Sequence, residues 1–445
     1  MAKEKGIVFE KLALRPVPRD QRQGWISVAL IQAGFMISAT SLWAGSLMIA
    51  GMSLVETAIA AVIGYVIVVA ICFAQGIMGS DIGVPSIVVA TQSFGDRGSQ
   101  FLVSTISAVC CIGWFGINAN ICGAAFSGLM SSSFDVEIPV KVSIIIWGVI
   151  MFSTAVIGFN GLKILNYIAV PAMVAVTVVG LYIVASGDGI DAIRSFIPYD
   201  PDMTMGVGID MVIGGFIVGA VLPADYTRYQ KTRRDVFKSS FFGILPLGVI
   251  LLLAGAVFAI AAGTEDLTNI FIGLGIPLFG LLSLILSTWP ANAANIYSAG
   301  LATMKVFWLK DNKRIPVTLL CGILGTAVGS FEIIFYFETF LTYLGIIIAP
   351  IAGVMMVDYF IIGKGKPENW APTVGVNWRG IIALAAGIVV SIFVPVGIES
   401  VNGVIVSAVV LLVLDKVMPK PATTSLEALD KSEEAAGEPE KEGII

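Results

Sequence analysis

The stretch Asp210–Arg228, DMVIGGFIVGAVLPADYTR, decides how the rest of the chain reads. It begins as an apolar helix and meets Gly214-Gly215 followed by Phe216. Gly219 and Pro223 come next, and the segment ends in the polar run Asp225-Tyr226-Thr227-Arg228. Two adjacent glycines weaken a helix, because glycine lacks the Cβ that limits backbone freedom. At membrane depth, unwound backbone is tolerated only where protein or a water-filled cavity satisfies its N–H and C=O groups. A Gly-interrupted span with an aromatic at the break therefore points to a transporter's substrate site. The competing reading is close helix packing, since small residues are common between membrane helices.

Composition makes a membrane setting necessary. The 445-residue chain is 57% hydrophobic and 13% charged, more apolar surface than a soluble domain can bury. Residues 1–24, MAKEKGIVFEKLALRPVPRDQRQG, are polar and basic and lack the short apolar core of a cleaved signal peptide, so the first apolar span is expected to stay in the membrane. All five cysteines (Cys72, Cys110, Cys111, Cys122, Cys321) fall inside apolar spans, where buried thiols are expected and a disulfide framework is not. With no histidine in the chain, His-based proton relays, His metal sites and Ser-His catalysis are excluded. No Walker-A loop is present, so ATP-driven transport has no support, and no cofactor is expected.

Apolar runs near the ~20 residues that cross a bilayer recur along the chain. They predict twelve spans, at about 25–49, 53–78, 99–129, 141–160, 164–185, 206–224, 239–262, 270–302, 316–331, 335–362, 380–397 and 400–418. Lys and Arg crowd the N-terminal segment, the loop after span six (Arg228, Lys231, Arg233, Arg234, Lys238) and the loop after span eight (Lys305, Lys310, Lys313, Arg314). The opposite loops hold only Lys141 and Arg194 among many carboxylates. The positive-inside rule then puts both termini in the cytoplasm, which an even number of spans permits. Residues 79–98, semi-apolar and interrupted by Pro85, read as a cytoplasmic interfacial hairpin. Residues 419–445 are acidic and poor in aromatics, and read as a disordered cytoplasmic tail.

Parity carries a further implication. If spans one to five (about 25–185) form a unit, span six starts on the opposite side of the membrane. A second unit over about 206–362 is then inverted, and 380–418 supplies two extra helices. Gly34-Phe35-Met36 and Gly45 interrupt span one as Gly214-Gly215-Phe216 interrupts span six. Paired interruptions in inverted halves point to a binding site at the midplane.

Two other spans carry polar chemistry. In span three, Cys111, Trp114 and Asn118 share one helical face. A tryptophan beside Gly113, with an amide one turn on, can stack on a flat ring and hydrogen-bond its edge. Span eight contains Ser287-Thr288-Trp289-Pro290-Ala291-Asn292-Ala293-Ala294-Asn295-Ile296-Tyr297-Ser298. Asn292 and Asn295, three residues apart, can present amides to one cavity, and an amide suits a nucleobase edge because it both donates and accepts. The alternative for each Asn is a hydrogen bond to a neighbouring helix. Of the membrane carboxylates, Glu56 and Asp210 are expected at the outer interface, Asp358 near the inner one and Glu338 deepest.

These residues resemble one known family, the nucleobase–cation symporters of the first class, which includes cytosine, allantoin and hydantoin permeases. The cytosine permease branch looks most similar. Carrying the match are Gly34 with Ser41-Leu42-Trp43, Gly113-Trp114-Phe115-Gly116, and Gly214-Gly215-Phe216 leading to Ala224-Asp225-Tyr226-Thr227-Arg228-Tyr229. Asn292 through Leu301, and Pro350-Ile351-Ala352-Gly353-Val354 through Asp358-Tyr359-Phe360, continue it, so similarity runs from about residue 15 to 418. The resemblance implies an all-α, LeuT-like fold of five plus five inverted helices, with broken helices one and six and alternating access. It implies a substrate ring sandwiched between Trp114 and Phe216, read at its edge by Asn292. Asn118, Ser38 and Gly215 would stand nearby, with Cys111 where cytosine permeases carry a Gln and Val218 where they carry a Ser. A sodium site would use carbonyls near Gly34 and Ile37 together with Ser287. The family's two span-eight hydroxyl ligands align here with Pro290 and Ala291, leaving sodium and proton coupling both open.

The expected partners are therefore a small nucleobase-like molecule and the lipid bilayer of the cell membrane, with no nucleic acid, and the chain is expected to act as a monomer. An amino-acid or amine carrier on the same fold, or a nucleobase uniporter, is the alternative within transport. A channel would need a symmetric ring of charges or carbonyls, and an enzyme a nucleophile–base cluster; the sequence offers neither.

Overall fold

The computed structural model describes residues 16–428, apart from 158, 159, 200–202, 308, 310 and 332. Among these residues all regular structure is helical, with isolated bridges only at Gln23–Gln230 and Thr373–Thr423. Helices occupy each of the expected spans. Six are long and apolar enough to cross a membrane: Leu54–Ile82, Asp96–Phe134, Ile168–Ser186, Arg233–Ala262, Phe337–Ile362 and Glu399–Val417. Trp25–Met36 and Ala39–Gly51 form a pair bent by 51°, and Met205–Val221, Arg314–Ser330 and Trp378–Phe393 are shorter apolar helices, as is Val140–Ala155. The polar stretch of span eight lies within the helix Pro277–Val306. Large apolar side chains such as Leu30, Val55 and Tyr182 face outward, as lipid contact requires.

Span one breaks and span six ends past its glycines, and neither is interrupted at them. Span one runs as helix through Gly34 to Met36 and turns at Ile37 (φ −80°, ψ 76°). The Ser38 amide donates to the Met36 carbonyl at 3.0 Å, which makes Ile37 the centre of an inverse γ-turn. Ser38 then caps the helix Ala39–Gly51 by accepting from the Ser41 amide. Span six is helical without interruption from Met205 to Val221, straight through Gly214-Gly215, and ends at Leu222-Pro223. Pro223 has no N–H to give the Gly219 carbonyl, and the Tyr226 hydroxyl takes that role at 2.8 Å.

Gly214 and Gly45 serve helix contact. A Cβ on Gly214 would lie 1.8 Å from the Leu341 carbonyl oxygen, and one on Gly45 1.8 Å from that of Leu252. For both, the packing reading is correct. The interruption comes several residues later, where a proline or a side-chain cap supplies what the broken ladder loses.

At the end read as cytoplasmic, the hairpin 79–98 is built as expected. The helix Leu54–Ile82 ends on left-handed Gly83, and short helices follow at Ser86–Val89 and Thr91–Phe94. Asp225, at the end of span six, accepts from the Ser86 amide at 2.9 Å. The N-terminal segment straps across this end, with the Val17 amide donating to Gly83 and the Gln23 amide to Tyr229. Asp81 ties three elements together: Arg233 donates to it through Nε and Nη2, and the Tyr359 hydroxyl at 2.6 Å.

Two expectations change. Residues 419–424, expected in a disordered tail, are held to the fold: the Val374 amide donates to Ala422 and the Thr424 amide to Pro372, at 2.9 and 2.8 Å. Residues 429–445 lie outside the described residues. Glu338 is exposed in the first turn of its helix, Phe337 taking the inward position instead. Among the described residues the buried carboxylates are Asp210 and Asp358. Asp210 caps span twelve, accepting from the Glu399 and Ser400 amides, and Asp358 accepts from the Ser93 hydroxyl at 2.8 Å.

Candidate substrate site

A cavity of about 40 Å³ lies where the break of span one meets spans two, three, six, seven and ten. One water needs roughly 10–15 Å³, so this conformation leaves room for a few waters and a flat ring would have to part the walls. Those walls are aromatic. Trp114 stands edge-on to Phe337, with ring centroids 6.2 Å apart, and to Phe340 at 5.4 Å. Gly113 makes the second contact possible, since a Cβ there would lie 2.7 Å from the Phe340 ring. Phe216 tilts against Phe35 at 6.1 Å, and Trp43 stacks flat on Phe337 at 4.2 Å. The Phe337 ring is thereby fixed, and it braces Trp114 in turn. Gly215 has nothing within 4 Å of a Cβ position and lines the cavity, so the helix surface there stays open.

Of the expected ring-binding residues, the structure brings Trp114, Phe216, Ser38 and Gly215 to this cavity. It places the amides elsewhere. Asn292 is fully buried, and its Nδ2 donates to the Phe115 carbonyl at 2.9 Å and faces the Met151 sulfur at 3.3 Å. Its Oδ1 has no hydrogen-bond partner among the described residues. Asn118 turns back on its own helix, donating to the Trp114 carbonyl at 2.9 Å. Asn295 and Cys111, both half-buried, are outside the lining as well. A polar group in hydrocarbon takes an acceptor within reach, and for Asn292 and Asn118 that is a backbone carbonyl.

In this arrangement Asn292 joins spans three and eight. Asn292→Ala is therefore expected to lower the thermal unfolding midpoint and to weaken every ligand by the same factor. A loss confined to the best ligand, measured across a graded set, would instead put the amide on the ring edge.

Reasoning from sequence missed Tyr65, Thr40, Ser41 and Phe337, all of which line the cavity. Ser41 stands in a quoted motif, but nothing local marks Tyr65 or Phe337, which are aromatic residues in apolar spans. The candidate cation ligands lie at the break itself. Because the Ser38 amide turns to Met36, the Gly34 carbonyl loses its helical donor, and Ile37 sits at the turn. Such carbonyls suit a hard cation. On span eight, the Ser287 hydroxyl donates to the Leu284 carbonyl at 3.0 Å. Among the described residues no group of three or more Asp, Glu, Cys or His could hold a metal.

The profile of a family described as a permease for cytosine/purines, uracil, thiamine and allantoin matches residues 16–416. The chain belongs to this permease family. Similar permeases include the cytosine permease of Escherichia coli K12, 27% identical over 414 residues, covering 92% of this chain and 96% of that protein. The hydantoin permease of Microbacterium maritypicum is 24% identical over 411 residues, covering 83% and 80%. Among solved structures, Mhp1 of the nucleobase-cation-symport-1 family, closed with bromovinylhydantoin bound, superposes with a TM-score of 0.75 at 21% identity, covering 94% of this chain and 98% of Mhp1. Inward-facing Mhp1 gives 0.80 at the same identity, covering 94% and 96%. The permease is thus a multi-pass membrane transporter with the LeuT-like architecture that the family resemblance implied.

Proposed function

We propose that this permease imports a nucleobase or closely related heteroaromatic ring by alternating access, coupled to a cation, with both termini in the cytoplasm and one chain as the working unit. The observation that carries the reading is the cavity at the span-one break, walled by Trp114 and Phe216 and lined by no charged side chain. A flat neutral ring suits that lining. An amine would want a carboxylate in it, and an amino acid two opposite charges matched. The test is uptake of radiolabelled nucleobases, hydantoins and amino acids into proteoliposomes. Uptake of amino acids alone would overturn the reading.

Coupling is proposed to depend little on sodium. The break offers carbonyls, but Pro290 and Ala291 bring no hydroxyl to close a shell around the ion. Replacing sodium by choline should change uptake little, and an imposed proton gradient should drive it. Pro290→Thr with Ala291→Thr should raise sodium dependence. Strong stimulation of the unaltered protein by an inward sodium gradient alone would refute this reading of span eight.

A further inference from the structure

Span seven begins with a stripe of cations that the protein leaves unpaired. On the helix Arg233–Ala262, Arg234, Lys238 and Phe242 stand four residues apart and share one face. Lys231 lies just before that helix. Among the described residues Lys231, Arg234 and Lys238 have no carboxylate within ion-pair distance, whereas their neighbour Arg233 is held by Asp81. The nearby carboxylate of Asp235 accepts from the Thr232 hydroxyl at 2.6 Å. Lys238 places its ammonium over the Trp25 ring, 5.9 Å from the centroid. Trp25 opens span one, and its ring meets that of Phe242 at 5.6 Å. Phe241 packs edge-on against Phe242 at 5.2 Å. Beyond these rings the two spans touch, since a Cβ on Gly243 would lie 2.7 Å from the Ala29 carbonyl oxygen. Phe242 remains 53% exposed, and Ile26 on span one 59%.

This face changes character along its length as a phospholipid does. From Arg234 to Phe242 the helix axis rises about 12 Å. The headgroup layer on one side of a bilayer is roughly 5–8 Å thick, so the stripe crosses it. The cations stand at headgroup level, Trp25 at the boundary that suits its amphipathic ring, and Phe242 and Ile26 among acyl chains. Arg234 can grip a phosphate through two N–H groups, and Lys238 adds a point charge. Cations without a carboxylate among them repel one another, and an anion relieves that repulsion. A zwitterionic lipid brings its own ammonium with its phosphate and relieves less of it.

We propose that the face shared by spans one and seven binds an anionic phospholipid of the cytoplasmic leaflet. Its phosphate rests on Arg234 and Lys238, and the upper part of an acyl chain on Trp25 and Phe242. Bound there, it bridges the start of span one to span seven and steadies the helix that leads to the turn at Ile37. The leaflet follows from the orientation proposed above; the binding itself does not.

Native mass spectrometry of the detergent-purified full chain, titrated with phosphatidylglycerol or phosphatidylcholine of identical acyl chains, tests it. Phosphatidylglycerol should bind about tenfold tighter. Arg234→Gln with Lys238→Gln should weaken phosphatidylglycerol roughly thirtyfold and phosphatidylcholine about threefold, which abolishes the preference. Lys238→Gln alone should cost phosphatidylglycerol about fivefold, and it serves as the reporter if the double variant does not fold. Lys416→Gln with Lys420→Gln, which removes two exposed cations beyond span twelve, should leave both affinities unchanged. Equal binding of the two lipids by the unaltered protein would overturn the proposal, as would a preference that survives in Arg234→Gln with Lys238→Gln. An equal loss in the span-twelve variant would also overturn it, by reducing the effect to general attraction by a basic surface. If the orientation is the part that fails, the lipid belongs to the other leaflet and the result in detergent stands.

Discussion

Trp114→Ala should remove most of the affinity for the transported ring while leaving the protein folded in the membrane. Trp114 lines the cavity and is braced edge-on by Phe337 and Phe340. Stacking of a base on an aromatic contributes about 1–3 kcal/mol, equivalent to roughly a tenfold to hundredfold loss in affinity. Phe216→Ala should cost a comparable amount, and Phe216→Trp should be better tolerated because it keeps a π-face. The measurement is equilibrium binding to purified variants whose thermal unfolding shows a single folded population. Affinity unchanged in folded Trp114→Ala would refute the aromatic sandwich and leave the cavity without its main wall.

Bracing of Trp114 by Phe337 is also where sequence and structure part company. The spans could be read from the chain because hydrocarbon demands long apolar helices, and that demand leaves a periodic mark. Trp114, Phe216, Ser38 and Gly215 could be read because each stands beside a glycine or a helix break, where an apolar run changes character. Phe337 and Tyr65 leave no such mark, since an aromatic residue looks the same whether it meets lipid, a helix or a ligand. The amides misled for a related reason. Asn292 is conspicuous in an apolar span, yet its donor is taken by the Phe115 carbonyl, and sequence shows a polar group without showing its partner. The breaks were legible as a pair and displaced in detail. Glycine permits unwinding, but the chain unwinds where Ser38 can cap and where Pro223 cannot donate.

The displacement has a consequence that two neighbouring substitutions separate. Gly214→Ala should destabilise the protein, and Gly215→Ala should not. The added Cβ at Gly214 would lie 1.8 Å from the Leu341 carbonyl oxygen, 2.6 Å from its carbonyl carbon and 3.1 Å from its Cα. All three are backbone atoms of the facing helix Phe337–Met356, so no rotamer change relieves the overlap and the two helices must separate. Overpacking of this kind costs about 1–3 kcal/mol, and more when the obstacle cannot yield. The damage should spread, because Phe337 at the start of that helix braces Trp114. At Gly215 a Cβ meets nothing within 4 Å and enters the cavity. Alanine there is also the better helix former, so stability should hold or rise slightly. Ring binding should fall, because the methyl takes space from a cavity of only about 40 Å³. Thermal unfolding and ligand titration of the two variants give opposite patterns on this account: a lowered midpoint for Gly214→Ala, and an unchanged midpoint with weakened binding for Gly215→Ala. Were the pair an unwound hinge, alanine would strain both positions alike. Equal stability losses at the two glycines would therefore restore the hinge and refute a continuous helix through them.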